Sequence, residues 1–211
     1  MPLEKNCLVT VGATVGFEKL TKAVLQPTFW SFLSSQGFTA LRVQSGPDVK
    51  WAAEMVSSQD SAIPDKFEIN VFETRDNLML EEMTLCKEVK GRRERGLVIA
   101  HAGTGTILDA WKVDVPLIVV PNTSLLDDHQ TEMAQHMAQA GYATMATPDT
   151  QDLQEAIHKS VLLQEEGKSR WPPHQVNKEG RKTVSIWDIG PTGPIKVKEA
   201  YKEADSQMAH D

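Results

Sequence analysis

The run Leu97-Val-Ile-Ala-His101-Ala-Gly103-Thr104-Gly105-Thr106-Ile-Leu-Asp109 takes an apolar, strand-like stretch through a turn of small residues straight into a helix-compatible one. A helix start leaves backbone N–H groups without intrahelical partners, and with the helix dipole these attract phosphate or diphosphate. Gly103 and Gly105 let the main chain approach such an anion closely, and Thr104 and Thr106 add hydroxyl donors. Asp109 lies one turn further on, where a carboxylate is poorly placed for phosphate and suits the hydroxyls of a ribose. A turn of this kind also serves simply to change direction, and a carboxylate early in a helix is common at a surface.

A second run, Pro121-Asn122-Thr123-Ser124-Leu125-Leu126-Asp127-Asp128-His129-Gln130, likewise leaves an apolar stretch and opens a helix. Asp127, Asp128, His129 and Gln130 mix amide and imidazole donors with carboxylate acceptors, a set that suits the hydroxyls of a sugar. Helix capping explains the two acids but not His129-Gln130. A third loop, Gly12 to Gly16, follows the first apolar run. It lacks the Lys-Ser/Thr of a P-loop, and Gly12-x-x-x-Gly16 is not the dinucleotide fingerprint, so ATPase and nicotinamide-enzyme readings lose support.

The elements that must hold these loops follow from periodicity. Strands are expected over Cys7–Val11, Thr39–Ser45, Phe67–Phe72, Leu97–Ala100, Leu117–Val120 and Ala143–Ala146. Between them come a helix from Phe17 with Phe17, Leu20, Val24 and Leu25 on one face, and one capped by Asp48 and running to Val56. Further helices are expected over Leu78–Val89, Thr106–Lys112, Asp128–Ala140 closed by Gly141, and from Asp149 or Thr150 to Leu163. Strand and helix alternate, and the fourth and fifth strands are apolar throughout, so the expected fold is α/β: a doubly wound, Rossmann-like parallel sheet over residues 1–164. In such a sheet the three loops share the carboxyl edge, where ligands bind. Residues 165–211, rich in proline and glycine to Pro194, are expected to form an irregular tail, with a helix-compatible stretch over Lys196–Ala209 that rests on its own domain or docks a partner.

Composition narrows the classes. Hydrophobic residues at 40% and charged residues at 24% describe a globular chain, and no apolar run approaches the about 20 residues of a membrane span. Met1 to Asn6 lack the apolar core of a signal peptide, so an intracellular, single-domain protein is expected. Two cysteines, Cys7 and Cys86, exclude a disulfide scaffold or zinc cluster, and neither has neighbours that suggest a nucleophile. A net charge of −7 speaks against nucleic-acid binding. The basic run Lys87 to Arg95, interrupted by Glu88 and Glu94, reads as a solvated loop that could favour an anionic membrane face. His136 and His158 read as surface residues, and no Asp-x-Asp pair of the metal-dependent sugar-nucleotide type is present.

Taken in order, Val9-Thr-Val-Gly12-Ala-Thr14 with Phe17, His101 to Asp109, Pro116-Leu-Ile-Val-Val, Asn122, Ser124-Leu-Leu-Asp-Asp-His-Gln130 and Gly141-Tyr142 resemble the cytosolic catalytic subunit of the two-subunit UDP-N-acetylglucosamine transferase of dolichol-linked oligosaccharide synthesis. A weaker resemblance extends to the donor domain of the bacterial transferase that makes the lipid-linked peptidoglycan disaccharide. The resemblance implies one half of a GT-B glycosyltransferase, inverting, moving N-acetylglucosamine from UDP-N-acetylglucosamine to dolichol-diphosphate-N-acetylglucosamine in a β1,4 linkage. By likeness, Gly12, Thr14, His101, Gly103, Thr104 and Gly105 bind the diphosphate, Asp109 the ribose, and Asn122, Asp128, His129 and Gln130 the sugar. No cofactor and no metal are implied. A membrane-anchored, acceptor-binding subunit is the implied partner, the base is unassigned and could come from it, and the location is the cytosolic face of the endoplasmic reticulum. The stretch Arg75 to Gly96 is longer and more basic than the family pattern. An epimerase or hydrolase of UDP-sugars, or a non-catalytic nucleotide-sugar-binding module, are the rival readings, because a fold does not fix a reaction.

Overall fold

The structure is a computed structural model and describes residues 3–124 and 129–170. Six strands, β1 (Asn6–Thr10), β2 (Ala40–Gln44), β3 (Glu68–Phe72), β4 (Leu97–His101), β5 (Leu117–Val120) and β6 (Thr144–Met145), form one sheet in the order β3-β2-β1-β4-β5-β6. Every pairing is parallel. The crossovers are α1 (Glu18–Val24) and α2 (Pro27–Ser35), α3 (Val49–Ser57), α4 (Leu78–Glu81), α5 (Thr104–Val113) and α6 (His129–Gln139), and α7 (Thr150–Arg170) follows β6.

β1 and β5 are buried at every position, as strands covered on both faces must be. Alternate side chains feed two cores. Cys7, Val9, Leu41, Val43, Ile99 and Ile118 join Leu20, Trp30, Ala52 and Leu153 from α1, α2, α3 and α7. Leu8, Val98, Ala100, Leu117 and Val119 join Ile107, Ala110 and Ala134 from α5 and α6. The chain winds one way from β1 to β3 and the other way from β4 to β6, which opens a crevice where the carboxyl ends of β1 and β4 diverge. The expected doubly wound sheet is therefore the one found.

Four local expectations change. The helix from Phe17 ends at Val24, and α2 begins separately at Pro27, whose fixed φ suits a first helical turn. Trp30 ties the two together, its Nε1 donating to the Val24 carbonyl at 3.0 Å. Asp48 stands before α3 but makes no capping hydrogen bond. Leu78–Val89 is not one helix: α4 stops after one turn and a 3₁₀ segment, Met83–Cys86, follows. The break lies at Glu82, whose carboxylate is 1% exposed and accepts from Arg42 on β2 and from Arg75 Nε at 2.7 Å. Finally, α7 continues past Leu163 to Arg170 and takes Gly167 in its stride, so the boundary expected at 164 falls inside a helix. Mid-helix glycine costs about 1 kcal/mol, too little to end a helix by itself. The tail from 171 onward, with the stretch Lys196–Ala209, lies outside the described residues. Among the described residues no helix is long and apolar enough to cross a membrane.

Candidate functional site

His101, at the end of β4, occupies the crevice between the two halves of the sheet. Its ring is held between two glycines: a Cβ on Gly12 would lie 3.2 Å from Cε1, and one on Gly103 only 2.4 Å from Nε2. Gly12 also has φ +93°, a conformation that side chains rarely adopt. The loop after β1 and the turn after β4 are thus both shaped around one imidazole. Burial lowers the His101 pKa below its usual value, opposed in part by the Thr10 backbone, so the ring is neutral at neutral pH. Its Nδ1 is buried without a hydrogen-bond partner among the described residues.

α5 starts immediately beyond. Gly103 is its N-cap and gives no side-chain cap, so the first-turn N–H groups are left for another acceptor. Thr104 and Gly105 are exposed there, and Thr14 is exposed in the β1 loop. A Cβ on Gly105 would meet nothing within 4 Å. Packing therefore does not require glycine at 105. Gly105→Ala is expected to raise stability by about 0.5–1 kcal/mol, as alanine does in a helix. If an anion approaches the backbone there, the same change weakens its binding. Thermal melting and ligand titration on one variant should move in opposite directions.

β5 runs beside β4 with His101 opposite Val120, so the loop after β5 leaves the sheet next to the His101 turn. In it the Asn122 N–H donates to Gln130 Oε1 at 3.0 Å, and Asn122 Oδ1 accepts from the Ser124 N–H at 3.2 Å and Oγ at 2.6 Å. Asn122 and Gln130 are thereby brought together and hold the entry to α6. His129 is 86% exposed, its Nδ1 3.7 Å from Glu132. Asp109 sits one turn into α5 and accepts from Lys112 Nζ at 2.9 Å, so any hydroxyl it takes must share it with that cation. Asp128, with Asp127, lies outside the described residues.

A fourth loop, Gly46 to Asp48, follows β2 at this edge. Gly46, with φ +55°, lies against the Gly12 carbonyl, 2.9 Å from where its Cβ would be. The Asp48 carboxylate fills the space where a Cβ on Gly16 would stand. The Thr10 hydroxyl donates to Gln44 Oε1 in the buried floor below. The dipeptide Gly46-Pro47 is the only trace of this in the sequence. Both cysteines are buried, and desolvation pushes the Cys86 thiol up to about 12 and the Cys7 thiol well above its usual range. Neither is a thiolate at neutral pH.

Residues 6–182 match the glycosyltransferase family 28 C-terminal domain. A protein of Cryptococcus neoformans named UDP-N-acetylglucosamine transferase subunit ALG13 is 37% identical over 169 residues, which cover 74% of this chain and 83% of that relative. The chain belongs to the ALG13 family. The Saccharomyces cerevisiae member is 34% identical over 159 residues, 69% of this chain and 79% of its own. The solution structure of an ALG13 protein, determined by NMR, superposes with a TM-score of 0.56 at 29% identity, covering 75% of this chain and 86% of that one. The family 28 match takes in all six strands and the loops that meet at the crevice.

Proposed function

We propose that this chain is the donor-binding half of a two-chain transferase that moves N-acetylglucosamine from UDP-N-acetylglucosamine to dolichol-diphosphate-N-acetylglucosamine, inverting the donor to give a β1,4 linkage. One observation carries the reading: Gly12 and Gly103 enclose His101 at the sheet's switch point, directly before the uncapped first turn of α5. Oriented N–H groups at a helix start can stabilise the diphosphate as it departs, without a metal. In this reading Gly12, Thr14, His101, Gly103, Thr104 and Gly105 hold the diphosphate. Asp109 takes the ribose hydroxyls, and Asn122, Asp128, His129 and Gln130 address the sugar. Gln130 Oε1 is already engaged by Asn122, so its amide N–H groups are what it offers.

An inverting transfer needs a base for the acceptor hydroxyl, and the partner subunit is its proposed source. The relatives' name, transferase subunit, supports a second chain. That chain is proposed to be membrane-anchored and to hold this one at the cytosolic face of the endoplasmic reticulum.

The test is transfer from labelled UDP-N-acetylglucosamine to a dolichol-linked acceptor, with the chain alone and with its co-expressed membrane partner. Product is expected from the pair only, and at an unchanged rate in EDTA. UDP release by the chain alone without acceptor would make it an epimerase or hydrolase. Donor binding with no transfer in any combination would leave a binding module, and loss of transfer in EDTA, restored by Mg²⁺ or Mn²⁺, would overturn the leaving-group chemistry.

A further inference from the structure

Away from the crevice, the basic stretch before β4 folds into a tight turn. The Arg93 N–H donates to the Val89 carbonyl at 2.8 Å and the Val89 N–H to the Arg93 carbonyl at 2.9 Å, with Gly91 at φ +76° in open space. Its cations divide into two groups. Arg93 is buried and pairs with Glu4 at 3.3 Å, and Arg95 pairs with Glu88 at 3.6 Å and Asp114 at 3.7 Å. Lys87, Lys90 and Arg92 are exposed and make no ion pair among the described residues. Val89 between them is 42% exposed.

Arg95 joins this turn to the end of α5, because Asp114 is the residue that closes that helix. One turn earlier stands Trp111, 37% exposed, packed against Tyr142, 57% exposed, with ring centroids 5.2 Å apart and the rings tilted by 55°. The indole Nε1 also donates to the Tyr142 carbonyl at 3.4 Å, so the two rings are fixed together. Leu108, 45% exposed, precedes Trp111 by one turn on the same side of α5. The flank thus presents free cations at one end and a preformed Trp–Tyr pair beside exposed leucine along the helix. Trp and Tyr gather at the membrane–water interface, where the ring body is dry and the polar edge wet, and cations seek anionic headgroups.

We propose that this flank, formed by the turn at Lys87, Lys90 and Arg92 and by Leu108, Trp111 and Tyr142, is a contact surface for an anionic lipid bilayer. The net charge of −7 does not forbid it, since charges more than about 10 Å from the headgroups are largely screened at physiological salt. Laid on this flank, α5 runs along the membrane, and its first turn opens beside the surface where a lipid-linked acceptor projects. The contact does not depend on the donor reading: a chain that binds vesicles and no nucleotide sugar would leave it standing.

Vesicle flotation of the full chain tests it, with phosphatidylcholine alone and with phosphatidylcholine containing one third phosphatidylserine. Binding is expected to the second and not the first, and to weaken with salt. Each cation near such a surface is worth about fivefold, so K87Q/K90Q/R92Q should bind about a hundredfold more weakly. L108Q/Y142S should reduce binding at any salt concentration, and both variants should keep the wild-type melting temperature. Failure to bind serine-containing vesicles, equal binding to neutral ones, or unchanged binding by the triple variant would overturn the proposal. Binding to RNA in preference to vesicles, abolished by the triple variant, would overturn it in favour of a nucleic-acid surface.

Discussion

Alanine in place of Gly103 is expected to weaken UDP-N-acetylglucosamine binding on the order of a hundredfold, because it displaces an imidazole that has nowhere to go. The new Cβ would stand 2.4 Å from His101 Nε2 and 3.0 Å from Cε1. The Gly12 backbone closes the other side, with room for a Cβ only 3.2 Å from the ring. The ring and the turn must therefore move by a good fraction of an ångström, and misplacement by about 1 Å costs about a hundredfold in a site built for one geometry. The fold itself should lose only about 1–3 kcal/mol, the usual cost of one extra methyl in a tight place. Titration calorimetry and thermal melting separate the two. In a double-mutant cycle, His101→Ala should relieve most of the stability loss caused by Gly103→Ala, since it removes the partner in the clash. Wild-type affinity in Gly103→Ala would remove this turn from the donor site.

Glutamine at position 82 is expected to lower stability by about 3 kcal/mol, the scale of breaking a buried charge pair from one side. Glu82 is 1% exposed, and its carboxylate accepts from both Arg42 and Arg75, which are 20% and 31% exposed. The amide takes from the half-buried Arg42 its ion-pair partner and leaves Arg75 only Glu81, at 4.0 Å. Burial by itself would raise the Glu82 pKa, but the hydrogen bonds and charges of Arg42 and Arg75 outweigh it and hold the group below its usual value. Folding therefore gains from this carboxylate above the unfolded value of about 4.3 and loses the gain as pH falls through the lower folded one. Denaturation followed between pH 7 and pH 3 should show the wild-type advantage over Glu82→Gln shrinking at the acid end. A constant difference across that range would assign the loss to shape and not to charge.

What could be read from the sequence tracks how locally each feature is determined. β4 and β5 are runs of apolar residues that no helix period fits, and the turn of α5 carries its own glycines, so strand, turn and helix start were legible together. The break at Glu82 was not. Leu78 to Val89 is helix-compatible residue by residue, and the interruption comes from Arg42, forty positions earlier, which claims the carboxylate from inside the sheet. Asp48 failed for a related reason: a cap-forming residue type stands at the cap position, yet its side chain packs against Gly16 in another loop. His101 was placed near the diphosphate by likeness to a family. That two glycines distant in sequence exist to accommodate its ring is a fact of the crevice alone.

The place of β1 in the sheet governs how the chain can reach its fold. β1 lies between β2 and β4, with Cys7 in register with both Leu41 and Leu97. The first three strands can assemble while the chain is still short, but the second flank of β1 must wait until β4 has been made. Until then its unpaired backbone groups and the apolar face of Leu8 are open to other chains. Parallel pairings between such distant segments fold slowly, in the millisecond-to-second range of sheets rich in long-range contacts. Docking of β4 is also the step that brings His101 up to Gly12. Ligand-binding competence should therefore appear in a single late phase of refolding, and a nascent chain stalled before Leu97 should have a partial core and no site at all.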